Sequence, residues 1–169
     1  MVYVIMGVSG CGKTTIGSML ASRMNIPFID ADNYHPEKNI ELMLKGIALM
    51  DEDRIPWLET LRDVIDRSII DGEHLVLACS ALKQSYRELL TGKNAGAVTF
   101  IYLRTLFTTA ESRIHTRKGH FMPATLLTSQ YADLEEPQDA LVVDSEPSPD
   151  QVVRTIEILI RSESIKKGD

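Results

Sequence analysis

The chain is poor in cysteine. Cys11 and Cys79 are the only two among 169 residues. They form no C-x-x-C pair and no metal-type cluster. This excludes a disulfide scaffold and a zinc module, and free thiols in a reducing compartment are expected. Long apolar runs are also missing. A run such as Leu75 to Cys79 has a buried strand's length, far below the roughly 18–20 residues of a membrane span. A basic excess is absent as well: 18 Lys and Arg stand against 24 Asp and Glu, a formal charge of −6, with the signs interspersed. That argues against a nucleic-acid partner. The start, MVYVIMGVSG, has no basic segment before its apolar stretch and runs into a Gly-rich turn, so no secretory leader and a cytoplasmic location are expected. Repeats and low-complexity linkers are lacking too. What is present is an ordinary globular composition, 44% hydrophobic and 25% charged, in a length that fits one domain over residues 1–169.

Short β-branched runs at Val2–Met6, Pro27–Ile29, Leu75–Ala78, Val98–Leu103 and Ala140–Val143 read as strands. Between them lie helix-patterned stretches at Lys13–Met24, Pro36–Leu44, Pro56–Ile70, Ala81–Leu90, Phe107–Arg117, Pro123–Leu134 and Pro149–Ser162. The alternation predicts βαβ units, a mostly parallel sheet and an α/β class. Four of these helices open near a proline, where a missing N–H costs nothing. Gly46 and Gly92 fall where C-caps belong. Two excursions interrupt the alternation, at about residues 32–72 and 117–138. They read as a helical substrate-binding segment and a lid.

Gly7-Val8-Ser9-Gly10-Cys11-Gly12-Lys13-Thr14 matches G-x-x-x-x-G-K-[ST], between an apolar strand and a helix as that motif requires. Its glycines allow positive φ and turn backbone N–H groups inward, making an anion cradle at a helix N-terminus. Lys13 can reach the terminal phosphates, and the Thr14 hydroxyl can ligate Mg²⁺. Thr15 is either a further phosphate contact or a plain first-turn residue. Asp30 and Asp32 end the second strand, where ligands of doubly wound sheets bind. One acid can hold a metal-bound water while the other accepts a hydroxyl proton.

Downstream candidates each carry two readings. His35, Asn39 and Met43 share one helix face, either a hydroxyl-reading surface or an ordinary stripe. Arg54, in Asp51-Glu52-Asp53-Arg54-Ile55-Pro56-Trp57-Leu58, either grips a carboxylate with two parallel bonds or pairs with its acidic neighbours. Asp51 or Asp53 is the expected N-cap there, and Trp57 is expected in the core. Ser80 is a plausible N-cap, with Lys83 and Arg87 making a positive stripe that serves an anion or merely faces solvent. Arg113, Arg117 and Lys118-Gly119-His120-Phe121 form a second basic cluster, suited to a lid hinge over a triphosphate.

Six segments, GVSGCGKTT (7–15), DADNYHPEKNIELM (30–43), DEDRIPWL (51–58), CSALKQSYR (79–87), RKGHFMP (117–123) and SQYADLEEP (129–137), together resemble the gluconate kinases, relatives of the shikimate and adenylate kinases. The resemblance implies a P-loop three-layer sandwich with a five-stranded parallel sheet in the order 2-3-1-4-5. It implies transfer of the γ-phosphoryl group of ATP, with Mg²⁺, to the 6-hydroxyl of D-gluconate, and a homodimer. It assigns Gly7, Ser9, Gly10, Cys11, Gly12, Lys13, Thr14 and Thr15 to the phosphates, and Thr14 with Asp30 to the metal, the latter through water. Asp32 becomes the base. His35, Asn39, Arg54, Lys83, Arg87 and His120 surround the sugar acid, with Arg54 on its carboxylate. Arg113 lies near the adenine, and Arg117 closes on the phosphates. The chain departs from the family pattern at Ala31, Tyr34, Leu42, Ala48 and Met50. Another small-acid kinase on the same scaffold, such as a shikimate kinase, and a nucleotide-binding module without turnover are the alternatives.

Overall fold

The computed structural model describes residues 1–116 and 124–167. The five apolar runs form strands β1 Val2–Met6, β2 Phe28–Asp30, β3 Leu75–Ala78, β4 Val98–Arg104 and β5 Leu141–Asp144. They make one parallel sheet in the order β2-β3-β1-β4-β5. Central β1 is buried along its whole length, so it reads as a continuous apolar run and not an alternating one. Its side chains still divide by the pleat. Tyr3 and Ile5 join Ile16, Leu20, Val153 and Ile156 on one face, while Val2, Val4 and Met6 join Trp57, Leu58, Leu61 and Ile65 on the other. The register sets Ile5 and Asp30 on either side of Ala78, so β1, β2 and β3 end at one level.

The helices are α1 Lys13–Met24, α2 Glu37–Leu44, α3 Asp51–Ile70, α4 Gln84–Thr91, α5 Phe107–Thr116, α6 Ala124–Asp133 and α7 Pro149–Lys167. Among the described residues, no helix is long and apolar enough to cross a membrane. α2 closes as expected at Gly46 (φ 72°). There Gly46 N–H donates to Met43 O and Ile47 N–H to Leu42 O, the paired bonds of a Schellman turn.

Two helix starts differ from the sequence expectation. α3 begins at Asp51, with Pro56 inside it and Met50, not Asp51 or Asp53, at the N-cap. Asp53 Oδ2 accepts Met50 N–H at 3.1 Å, and three acids in the first turn favour the positive end of the helix dipole. These terms outweigh the single N–H that Pro56 lacks. α4 begins at Gln84, with Lys83 and not Ser80 at the N-cap position and no side-chain cap from it; the Gln84 N–H donates instead to the Glu135 carboxylate. Ala81 is left-handed at φ 44°, which a helix cannot continue through. A short 3₁₀ turn, Ala31–Tyr34, also joins β2 to α2.

Candidate active site

The loop from Gly7 to Gly12 leaves β1 at the carboxyl edge of the sheet and enters α1. Gly7, Gly10 and Gly12 have φ of 140°, 80° and 101°. A Cβ on Gly10 would lie 2.5 Å from the Ala110 carbonyl oxygen of α5, so space as well as conformation demands glycine. Lys13 Nζ donates to the carbonyls of Gly7 and Val8 at 3.0 Å each. The ammonium thus lies along the loop, and Thr15 is exposed beside it.

Thr14 Oγ1 donates to Asp30 Oδ2 at 2.7 Å. The other oxygen of Asp30 accepts the N–H of Asp32 at 3.1 Å and so starts the 3₁₀ turn. One carboxylate therefore links the helix behind the phosphate loop to the turn that presents Asp32. The two acids differ in situation: Asp30 is engaged, and Asp32 is exposed. A hydroxyl and a carboxylate in contact form a hard oxygen pair that suits Mg²⁺.

On the far side of the loop, a cleft of about 230 Å³ is lined by Cys11, Gly12, Thr15, Arg113, Ser145 and Pro147 among others. Arg113 is fixed there by donating to Ser145 O at 2.7 Å and Ser145 Oγ at 3.2 Å. Cys11 is buried, which pushes its thiol up despite Lys13 and Arg113 nearby. Burial pushes Cys79 up to about 12. Neither is a thiolate at neutral pH.

The acceptor side is built by α2, α3 and α4. The His35 ring stacks on Trp57 at 4.2 Å and 13°. Trp57 Nε1–H in turn donates to Ala31 O at 2.8 Å, inside the turn that carries Asp32. Burial lowers the His35 pKa. Asp32 opposes that shift and Arg54 adds to it. Asn39 is only 2% exposed and donates to Asp53 O at 2.8 Å, so it braces α2 on α3; its amide lies 3.5 Å from His35 Nδ1. Met43 is half-buried.

Arg54 and Lys83 converge on Tyr86, each 5.6 Å from its ring centroid. Arg54 Nη1 donates to Tyr86 Oη at 2.9 Å and to Asp133 Oδ2 at 3.2 Å. Lys83 Nζ donates to Asp51 Oδ1 at 2.8 Å, and Tyr86 donates to the same oxygen. The bond from Lys83 holds the Asp51 carboxyl below its ordinary range. Arg54 thus takes an acidic partner on one edge of its guanidinium. Arg87 stands apart from this group, 6% exposed, with Nη1 on the carbonyls of Ala81 and Leu82 at 3.0 and 2.9 Å. It staples the loop that Lys83 ends. Arg117 and His120 lie outside the described residues.

Sequence reasoning missed three members of the site. Tyr86, Gln130 and Asp133 sit within segments that carry the resemblance, yet no local spacing marks them. Asp133 meets Arg54 from 79 residues away, and Gln130 meets Ser9 from 121 residues away.

The Shikimate kinase family model matches residues 9–159. The thermoresistant gluconokinase of Escherichia coli K12 is 42% identical, over 99% of this chain and 94% of its own. The crystal structure of a gluconokinase from Sinorhizobium meliloti superposes with a TM-score of 0.82 at 38% identity, covering 90% of this chain and 87% of the other. A shikimate kinase from Aquifex aeolicus reaches a TM-score of 0.60 at 18% identity, over 98% of this chain and 99% of its own, a likeness of fold alone. At the identity and coverage of the first two relatives, and on a fold that the shikimate kinases share, the chain belongs to the gluconokinase family of P-loop kinases.

Proposed function

We propose that the chain phosphorylates D-gluconate at its 6-hydroxyl with ATP, releasing 6-phospho-D-gluconate and ADP. The observation that carries this reading is the contact between Thr14 and Asp30, which joins the phosphate loop to the turn bearing Asp32. In this reading residues 1–169 are one kinase domain. Residues 32–72 form its acceptor segment and 117–138 its lid, in which 124–138 is the base and Arg117 and His120 close on the phosphates.

The remaining amides of the Gly7–Gly12 loop, whose Gly7, Ser9 and Cys11 N–H groups donate to Ser80 O, Gln130 Oε1 and Val8 O, hold the triphosphate with Lys13, Thr14 and Thr15. The glycine cradle and the Thr14–Asp30 oxygens fit a nucleotide and a Mg²⁺ ion held by Thr14 directly and by Asp30 through water. That ion would neutralise phosphate charge. Asp32 accepts the proton of the 6-hydroxyl as its oxygen bonds to the γ-phosphorus and the bond to the β-bridging oxygen breaks. His35, neutral near pH 7, pairs with substrate hydroxyls. Arg54 holds the carboxylate through the guanidinium edge turned from Tyr86 and Asp133, with Lys83 beside it. Asn39 and Arg87 act from behind, by fixing α2 and the 79–83 loop. Arg113 borders the adenine cleft. The reaction belongs in the cytoplasm, where buried thiols stay reduced. A homodimer, implied by the resemblance, is the proposed assembly.

The family model's description favours one second reading, a shikimate kinase. ADP release with MgATP against D-gluconate, shikimate, glycerate, AMP and no acceptor separates the two. Turnover with gluconate alone is expected, and Asp32→Asn should abolish most of it while MgATP still binds. Turnover with shikimate in place of gluconate would discard the acceptor assignment.

A further inference from the structure

Gln130 reaches the phosphate loop from α6. Its Oε1 accepts the Ser9 N–H at 2.6 Å, and its Nε2 donates to Ser9 Oγ at 3.1 Å. A backbone N–H can only donate, so the amide has one possible orientation, and the hydroxyl proton of Ser9 is left to donate elsewhere. α6 itself is tied to its surroundings. Tyr131 donates to Thr105 O at 2.8 Å beyond β4, and Asp133 pairs with Arg54. Just past the helix, Glu135 N–H donates to Leu82 O at 3.0 Å, and its carboxylate accepts Gln84 N–H at 2.6 Å. Gln130 is therefore a finger on an anchored strut. The loop it touches has glycines at positive φ at three of six positions, and such a segment loses much freedom when it is ordered.

We infer that Gln130 is a positioning residue for the nucleotide: by gripping Ser9 it holds the phosphate loop in its anion-binding shape before ATP arrives. This rests on the ATP-site reading proposed above. It adds that α6 and the base of the lid contribute to nucleotide affinity without touching the acceptor.

The test uses the full chain and three readouts. These are binding of magnesium AMPPNP by calorimetry without acceptor, the KM values for ATP and gluconate, and the melting temperature. Gln130→Ala should weaken AMPPNP binding and raise the ATP KM by about tenfold, the loss expected of one or two hydrogen bonds. The gluconate KM should stay within about twofold, because Arg54 and Lys83 are untouched. Gln130→Glu keeps the reach and an acceptor for the Ser9 N–H but sets a negative charge beside the triphosphate. It should melt like wild type, bind AMPPNP more weakly, and recover part of that loss as salt is raised. AMPPNP binding by Gln130→Ala equal to or tighter than wild type would overturn the inference. So would a parallel decline of nucleotide binding, gluconate KM and melting temperature, which marks a mere structural prop. A wild-type chain that fails to bind AMPPNP would instead overturn the ATP-site reading beneath it.

Discussion

His35 shows how its surroundings, more than its residue type, set what a side chain can do. A histidine two residues before a helix is an unremarkable feature of a sequence. Here it lies flat on Trp57, between an acid and an arginine, and burial lowers its pKa. The sign of the pH effect follows. The unfolded chain takes up this proton near pH 6.5 and the folded chain only at lower pH. The unfolded state therefore binds more protons in that window, and stability rises with pH there. The contribution of His35 is complete above about pH 6.5 and is lost progressively as pH falls towards the folded value. Melts at a series of pH values should show a plateau near neutrality and a decline below it. His35→Gln should melt lower at neutral pH, having lost the stack, but should decline less steeply as pH falls below about 6.5. An equal or steeper decline in the variant would show that other groups govern the acid limb. The phosphate-loop residues were legible because their pattern is contiguous. Tyr86, Gln130 and Asp133 were not, because their partners become neighbours only after the sheet has formed.

At the scale of elements, α3 carries more than its core face. Trp57, Leu58, Leu61 and Ile65 follow helical spacing and are buried, so the sequence shows an amphipathic helix and a core tryptophan correctly. It does not show that the indole N–H reaches the Ala31 carbonyl, or that α3 thereby braces the turn bearing Asp32. Its start departs from the sequence expectation for a related reason. A proline is a strong local signal, whereas the competing signal, Asp53 folding back on Met50, has no Ser or Thr cap to announce it. The start of α4 was hidden in the same way by the left-handed Ala81, an unusual residue for that conformation. Trp57→Phe keeps an aromatic ring under His35 and removes the indole N–H that donates to the carbonyl of the buried Ala31 within the 3₁₀ turn. The loss of that one hydrogen bond should cost about 0.5–1.5 kcal/mol, or roughly 1–6 °C in melting temperature for a chain of this size. The gluconate KM should rise more than the ATP KM, since the brace serves the acceptor side. A variant that melts and binds gluconate like wild type would show that the turn holds itself.

For the whole molecule, the sheet brings the phosphate loop, the paired acids and the Lys83 loop to one edge. β1 delivers the phosphate loop, β2 delivers Asp30 and Asp32, and β3 leads to Lys83. Strands and class were legible from composition and alternation. The order 2-3-1-4-5 was not, because nothing in five short apolar runs says which pair is central, and it came from the family resemblance. Since both proposed sites lie between elements, ligand binding should stabilise the fold as a unit. MgATP at a hundred times its dissociation constant adds about 2.7 kcal/mol by linkage, and that should raise the melting temperature by roughly 5–10 °C. D-gluconate alone, held between the α2–α3 segment and the sheet edge, should raise it too. Shikimate should not, because although its carboxylate suits Arg54, its ring-bound hydroxyls leave the polar groups around His35 and Lys83 unpaired. A thermal shift with MgATP and gluconate and none with shikimate would match the acceptor site drawn here. A shift with shikimate and none with gluconate would keep the phosphate loop and reassign the cluster around Tyr86 to a different acid.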